Sequence, residues 1–189
     1  MYGLRRSISQ INSISKFHTF SKVFFKVGES IKPGIPALFE NSPGNSVDLG
    51  AEVAKIPKSI IVGVPGAFSP ACSASHIPGY IKHLKDFQKK GIDQIFVTVV
   101  NDPFVTKAWA DSLKLKDSTG GKIRLIADAQ GKFAESGDAL FDASVKFFGN
   151  KRNYRFALVL ENGKIIKEFV EPDQVGVKVS SAENVLKNL

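Results

Sequence analysis

Short apolar runs that alternate with helical patterns constrain the fold of this chain more than any other feature. The runs SIIVGV (59–64) and QIFVTVV (94–100) are rich in β-branched residues and lack charge, which is typical of strands buried on both faces of a sheet. Residues 123–127 (IRLIA) form a third predicted strand. Strands separated by helical patterns favour parallel pairing, because a connection between parallel strands must cross from one end of the sheet to the other.

Four helical patterns and one hairpin complete the predicted fold. The helical patterns lie before Gly91, over 103–113, over 131–137 and over 182–189. Asn162-Gly163, a strong short signal for a hairpin, separates the runs 155–160 and 164–170. This order predicts one α/β domain: a central mixed, mainly parallel sheet with helices on both faces and an antiparallel edge.

Residues 1–26 are predicted to be a leader that precedes the folded domain over 27–189. Five basic residues and no acidic residue fall within positions 1–28, so the leader carries most of the net charge of +8. Its apolar residues lie three or four positions apart, and a basic amphipathic helix is typical of mitochondrial transit peptides. We therefore expect location in the mitochondrial matrix, with cleavage somewhere between Phe17 and Lys26. The alternative is a disordered tail that carries no targeting signal.

Composition argues against several classes of protein. Outside the leader, 21 basic residues face 18 acidic ones, and they do not cluster with aromatic residues as nucleic-acid-binding surfaces do. No stretch approaches the roughly 18 apolar residues of a transmembrane helix, so no membrane insertion is expected. One cysteine permits neither an internal disulfide nor a multi-cysteine metal site, and the three histidines are scattered. We therefore expect no metal, no cofactor and no nucleic-acid partner.

Cys72 is the residue best placed for chemistry. The segment PGAFSPAC (65–72) joins the first predicted strand to a helix, which places the thiol in the first turn of that helix. Free N–H groups and the positive end of the helix dipole favour the thiolate, the nucleophilic form of cysteine. Ser69 can hydrogen-bond within the same turn, and Pro65 can wall the pocket against water. Arg155 can hold the thiolate if its strand neighbours the first one.

These residues resemble those of a known family. Pro65, Ser69 and Cys72 match the pattern P-x-x-x-[TS]-x-x-C of the peroxiredoxins, and the run PGAFSPACSASHIPGY (65–80) is similar to that of the type II, or Prx5-like, subfamily. The resemblance continues in NDPFVTKAW (101–109), IADAQGKFA (126–134), RFALVLENGKI (155–165) and EPD (171–173). It implies a thioredoxin-like fold and a thiol peroxidase for hydrogen peroxide and small alkyl hydroperoxides, in which Cys72 becomes a sulfenic acid. It also implies that Ser69 hydrogen-bonds the peroxide and that Arg155 is the arginine of the site.

One departure from the family pattern predicts how the sulfenic acid is reduced. Some type II members carry a second, resolving cysteine on the helix after the active site or shortly beyond the EPD segment, where this chain reads VGVKVSSAENVL (175–186). The sulfenic acid must then be reduced by an external thiol, from glutathione with glutaredoxin or from thioredoxin. The expected partners are a hydroperoxide and one of these reductants. Type II relatives imply either a monomer or a homodimer, so a second copy of the chain is a further candidate partner.

The same residues also suggest other functions. A redox sensor or relay would be oxidised at Cys72 with incidental turnover, and a thioredoxin-like binding module would carry an unactivated thiol. His76, four residues after Cys72, suggests a hydrolase, but that chemistry needs an oxyanion hole and a third orienting group, for which the sequence offers no case. His76 and Trp109 are instead predicted to pack near the site and in the core, and Asp102 and Asp128 to cap helices or turns.

Overall fold

A six-stranded sheet forms the centre of the molecule. The computed structural model describes residues 24–145 and 147–189. The strands are β1 (Leu38–Phe39), β2 (Lys58–Val64), β3 (Gln94–Val99), β4 (Ile123–Asp128), β5 (Leu140–Asp142), β6 (Lys151–Asn153), β7 (Phe156–Glu161) and β8 (Lys164–Val170). The order in the large sheet is β1-β4-β3-β2-β7-β8, and β5 and β6 form a separate two-stranded sheet.

The three central strands are parallel and the outer pairs are antiparallel. β2 pairs with β3, and β3 with β4, in parallel. The pairs β1–β4, β2–β7 and β7–β8 are antiparallel. The predicted mixed sheet is thus confirmed, and antiparallel pairing is more extensive than predicted because it occurs at both edges. The additional edge strand, β1, is only two residues long, too short for a period-2 pattern to show in the sequence.

Helices cover both faces of the sheet, as predicted. They are α1 (Leu49–Val53), α2 (Ile77–Lys82), α3 (Leu84–Lys89), α4 (Pro103–Ser112), α5 (Leu115–Thr119), α6 (Lys132–Ser136) and α7 (Ala182–Lys187). Successive residues of a strand point to opposite faces, so β2 serves two cores. Ile60 and Val62 pack with α2 to α5 and α7, whereas Ile61 packs with α1 and α6. Within the described ranges, no helix combines the length and apolar character that crossing a bilayer requires.

The helix predicted to end at Gly91 is divided into several pieces. It passes through a π-helical turn over Cys72–His76, continues as α2 and breaks at His83 before α3. Ile77 N–H bonds back five residues to the carbonyl of Cys72. Pro78 explains this wider turn, because it has no N–H to donate and its ring crowds the carbonyl four residues earlier.

The predicted caps are confirmed. Asp102 Oδ1 accepts hydrogen bonds from Phe104 N and Val105 N, both at 3.0 Å, and so begins α4. Asp128 is buried and accepts from the backbone of α6, and burial raises the pKa of its carboxyl above the ordinary value. Both carboxylates are therefore used to satisfy free N–H groups at helix starts.

Phe24 and Phe25 pack into the folded domain. Residues 1–23 of the predicted leader lie outside the described residues. Phe25 is 8% exposed and its backbone N–H donates to Gly137 O at 3.1 Å. The rings of Phe24 and Phe25 lie 5.4 and 5.8 Å from that of Phe156, centroid to centroid. The last residues of the segment 1–26 thus pack into the same core as α1 and α6.

Candidate active site

Cys72 lies where β2 turns into a helix. After Val64, the buried residues Pro65 and Gly66 open a loop that leads into this helix. Cys72 is the first residue of the π-helical turn, and its side chain is fully buried. Ser73 N–H donates to Ser69 O at 3.0 Å, which closes the first helical turn around the thiol. The predicted position of Cys72 in this first turn is confirmed.

Arg155 reaches Cys72 because β7 pairs with β2. Gly63 is paired with Phe156, so the residue before Phe156 comes to the end of β2 where the Cys72 loop begins. Arg155 Nη1 donates to Cys72 Sγ at 3.2 Å, and Nε donates to Val175 O at 2.9 Å. The side chain is 2% exposed. A guanidinium in such a dry site makes charge-assisted hydrogen bonds, which favour a negatively charged acceptor.

His76 is the second acceptor for the same nitrogen of Arg155. The distance from Arg155 Nη1 to His76 Nδ1 is 3.1 Å. An arginine can only donate, so Nδ1 accepts and the ring proton lies on Nε2, which donates to Ser180 O at 3.0 Å. Burial and then the charge of Arg155 lower the pKa of His76 to about 3, against a smaller opposing effect of the bond to Ser180. His76 is therefore a neutral imidazole at physiological pH.

Ser69 points to its own loop rather than to the sulfur. Its Oγ donates to Gly66 O at 2.9 Å. Between them, Phe68 adopts the left-handed region with φ of 58°, an uncommon conformation for a bulky residue. Ala67 N donates to Asn101 Oδ1 at 3.0 Å, and Asn101 follows the neighbouring strand β3. The loop is thus held in its strained shape by bonds from within and from the next strand.

Two aromatic residues contact the segment 66–73, one at each of its ends. A Cβ atom at Gly66 would lie 2.7 Å from Cε1 of Phe148, so a larger residue at this position would have to displace that ring. Trp109, fully buried in α4, donates from Nε1 to Ser73 Oγ at 2.9 Å. Trp109 is a packed aromatic as predicted, and it also ties the residue after Cys72 to the core.

The similarity to known proteins agrees with this geometry. A model of the redoxin family matches residues 19–186. The chain belongs to the redoxin family. It is 46% identical over 152 residues to the peroxisomal membrane associated protein 20 of Schizosaccharomyces pombe, covering 80% of this chain and 92% of the relative. It is 38% identical over 164 residues to peroxiredoxin-2D of Arabidopsis thaliana, covering 86% and 97%.

A solved structure extends the similarity to three dimensions. The crystal structure of peroxiredoxin 5 from Alvinella pompejana superposes with a TM-score of 0.72 at 31% identity, covering 86% of this chain and 96% of that one. The predicted thioredoxin-like fold and the Prx5-like resemblance are confirmed. This redoxin is thus a peroxiredoxin, an enzyme that reduces a peroxide at the expense of a thiol, and its chain holds one cysteine.

The predicted site residues of this redoxin come together to different degrees. Cys72 and Arg155 are in direct contact, Ser69 lies one turn before Cys72, and Pro65 stands at the end of β2. Sequence reasoning placed His76 near the site but missed its bond to Arg155. The available signal was a polar residue four positions after Cys72 on the same helix, which spacing alone does not distinguish from a packing role.

Proposed function

We propose that Cys72 is the peroxidatic nucleophile and that Arg155 stabilises the charge that develops during its attack. The Cys72 sulfur, as a thiolate, attacks one oxygen of a hydroperoxide, and the O–O bond breaks as the S–O bond forms. The other oxygen departs as hydroxide or alkoxide and takes up a proton to become water or an alcohol. Cys72 is left as a sulfenic acid. We expect hydrogen peroxide and small alkyl hydroperoxides as substrates.

The observation that carries this proposal is the hydrogen bonding of the Arg155 guanidinium. Nη1 is shared between Cys72 Sγ at 3.2 Å and His76 Nδ1 at 3.1 Å, and Nε is bound to a carbonyl. Nη2 donates to none of the residues in 24–145 and 147–189, so its N–H groups can donate hydrogen bonds to the peroxide oxygens. Donors already fixed beside the reacting atoms, in a site that excludes water, stabilise a departing anion most strongly.

Ser69 and Pro65 complete the proposed site. Ser69 Oγ gives its proton to Gly66 O, which leaves its lone pairs free to accept the O–H of a hydroperoxide. Pro65 is buried at the end of β2 and has no N–H, so it can wall the pocket without attracting water. Each of these groups would orient the peroxide rather than transfer electrons to it.

An external thiol is proposed to complete the cycle. Cys72 is the only cysteine of the chain, so its sulfenic acid has no internal partner. Glutathione would condense with the sulfenic acid to form a mixed disulfide and water, and a glutaredoxin thiol would then attack that disulfide and release the Cys72 thiol. A small thiol is favoured because Cys72 is fully buried. Thioredoxin is the alternative reductant.

Steady-state peroxidase assays test the cycle. We expect turnover of hydrogen peroxide with glutathione and glutaredoxin, none with Cys72→Ser, and a glutathione adduct on Cys72 in mass spectra when glutaredoxin is omitted. Turnover with thioredoxin but not with glutathione and glutaredoxin would show that thioredoxin is the reductant. Rapid single oxidation without turnover on any thiol would instead indicate a redox sensor. A Cys72–Cys72 dimer as the main productive species would contradict the mechanism.

A homodimer is proposed from apolar side chains near the same loop. Phe68, Phe104 and Phe147 are 53%, 69% and 79% exposed. Phe147 packs on Phe148, whose ring covers Gly66 beside Phe68. Phe104 follows Asn101 by three residues, and the Asn101 side chain accepts a hydrogen bond from Ala67 N, next to Phe68. Exposed aromatic residues gathered in one region are typical of interfaces. Sedimentation should show a dimer that Phe104→Asp dissociates, and a monomeric wild type would refute this.

Location in the mitochondrial matrix is proposed from the basic, acid-free leader. Because Phe24 and Phe25 pack in the core, we expect cleavage before Phe24. Fusion of residues 1–23 to a fluorescent protein should direct it to mitochondria, and N-terminal sequencing of the imported chain should locate the cleavage. Peroxisomal targeting of the full chain without processing would overturn this proposal.

A further inference from the structure

Glu171 is a buried carboxylate that forms no ion pair with any residue of the described chain. It follows β8 directly and is 3% exposed. A single oxygen, Oε1, accepts hydrogen bonds from Lys178 N, Ser180 N and Ser180 Oγ, each at 2.8 Å. These three hydrogen bonds hold the two ends of segment 171–180 together, and we call this segment the C-terminal loop. A carboxylate is costly to bury, so its use here indicates that the shape of this loop matters.

Ser180 links this carboxylate to His76. Its Oγ donates to Glu171 Oε1 and lies 3.2 Å from His76 Nε2, while its carbonyl accepts from the same Nε2 at 3.0 Å. The donors therefore run in one direction, from Arg155 to His76, from His76 to Ser180 and from Ser180 to Glu171. Hydrogen bonds arranged in this way polarise and strengthen one another in a medium of low dielectric.

The C-terminal loop holds the Arg155 guanidinium at two points. It supplies the Val175 carbonyl to Nε directly, and through Ser180 it fixes the tautomer and orientation of His76, the acceptor for Nη1. Because His76 accepts from one N–H of Nη1, the other is directed at Cys72 Sγ. Without an acceptor at His76 Nδ1, the guanidinium would be free to tilt away from the sulfur.

We propose that Glu171 and Ser180 are positioning residues of the peroxidase reaction, acting through His76 to aim Arg155 at the sulfur and the peroxide. This inference rests on the roles proposed for Cys72 and Arg155. It concerns the oxidation step alone and does not depend on which thiol is the reductant.

The test compares two reactions of Cys72 in single turnover. Hydrogen peroxide needs a stabilised leaving oxygen, whereas alkylation by iodoacetamide needs only a nucleophilic sulfur. Ser180→Ala should slow oxidation by about five- to twentyfold and alkylation by only about twofold, because both reactions use the thiolate that Arg155 stabilises, whereas only oxidation also needs Arg155 at the leaving oxygen. Glu171→Gln, which keeps the shape of the side chain and removes its charge, should give a smaller loss of the same selective kind.

Tyr80→Phe is the matched control. The Tyr80 hydroxyl is fully buried and donates to the same Ser180 carbonyl at 2.8 Å, but it is outside the chain of bonds from Arg155 to Glu171. Its loss removes one buried hydrogen bond to the Ser180 carbonyl, whereas Ser180→Ala keeps that carbonyl and removes the contacts of Ser180 Oγ with Glu171 and His76. We expect both reaction rates to stay within about twofold of the wild type.

A double-mutant cycle separates positioning from general support of the loop. His76→Asn places a carbonyl oxygen near the former Nδ1 and cuts the link to Ser180, so it should retain more oxidation rate than His76→Leu. In the His76→Asn background, Ser180→Ala should cause no further loss. Losses that multiply, or a Ser180→Ala variant that slows both reactions equally or neither, would overturn the inference. A wild type whose Cys72 resists peroxide would instead refute the roles of Cys72 and Arg155.

Discussion

Acidification is expected to destabilise the folded protein through the neutral imidazole of His76. Its pKa is about 3 in the folded protein, where burial and Arg155 oppose a second positive charge, against an ordinary value of 6.5. As the pH falls below 6.5, His76 therefore binds a proton in the unfolded chain but stays neutral in the folded protein until the pH approaches 3. The stability that belongs to the neutral ring is present above pH 6.5 and is lost as the pH falls from 6.5 towards 3.

The magnitude follows from the size of this window. Each pH unit below the unfolded pKa lowers the free energy of unfolding by about 1.4 kcal/mol for one such group. Between pH 7.5 and pH 5.0, His76 should therefore account for a loss of about 2 kcal/mol. Stabilities of whole domains are only about 5–15 kcal/mol, so this loss is well within reach of measurement.

Urea unfolding at the two pH values isolates this contribution. Other groups also titrate over this range, so the wild type is compared with His76→Asn, in which the residue at 76 carries no proton to exchange. The wild type should lose about 2 kcal/mol more than the variant on acidification. An equal loss in the two proteins would refute the reasoning, since it would mean that His76 is protonated in the folded state or is not shielded from water.

Three further outcomes are expected. Arg155→Lys should slow single-turnover oxidation of Cys72 by about a hundredfold, because an ammonium cannot donate to the sulfur, His76 and the peroxide together, and an unchanged rate in stopped-flow measurements would contradict its proposed role. Phe25→Ala should lower the free energy of unfolding by about 3–5 kcal/mol, whereas Val27→Ala, at an exposed position, should change it by less than about 0.5 kcal/mol; equal effects in urea unfolding would mean that Phe25 is not part of the core. Asp102→Ala should lower it by about 1 kcal/mol through loss of the α4 cap while leaving alkylation of Cys72 unchanged, and slowed alkylation would show that Asp102 acts on the thiol.

The parts of the site that could be predicted are those set by local pattern. The apolar run of β2 and the proline- and glycine-containing loop after it place Cys72 in a first helical turn whatever surrounds it. Arg155 could be predicted only on the condition that its strand neighbours β2, because pairing between strands far apart in the chain leaves no local trace. The sheet satisfies that condition through the Gly63–Phe156 register.

The acceptors around Arg155 could not be predicted for a physical reason. Val175 and Ser180 lie in the C-terminal loop, which has neither helical nor strand periodicity, and their contacts with Arg155 and His76 span 20 and 104 residues. A serine or valine in an irregular segment has no sequence feature that reveals which carbonyl turns inwards. The same holds for Trp109, whose bond to Ser73 is invisible in a helical pattern that predicts only burial.

The C-terminal loop also bears on how the sulfenic acid is reduced. This loop occupies the region where some type II relatives carry a resolving cysteine, and here it is tied to Arg155 Nε through the Val175 carbonyl and to His76 through Ser180. A thiol delivered from this loop would have to break these bonds and so release the arginine during each cycle. A reductant that comes from outside leaves both bonds in place. The proposed external reduction and the proposed positioning of Arg155 by the C-terminal loop are therefore compatible with each other.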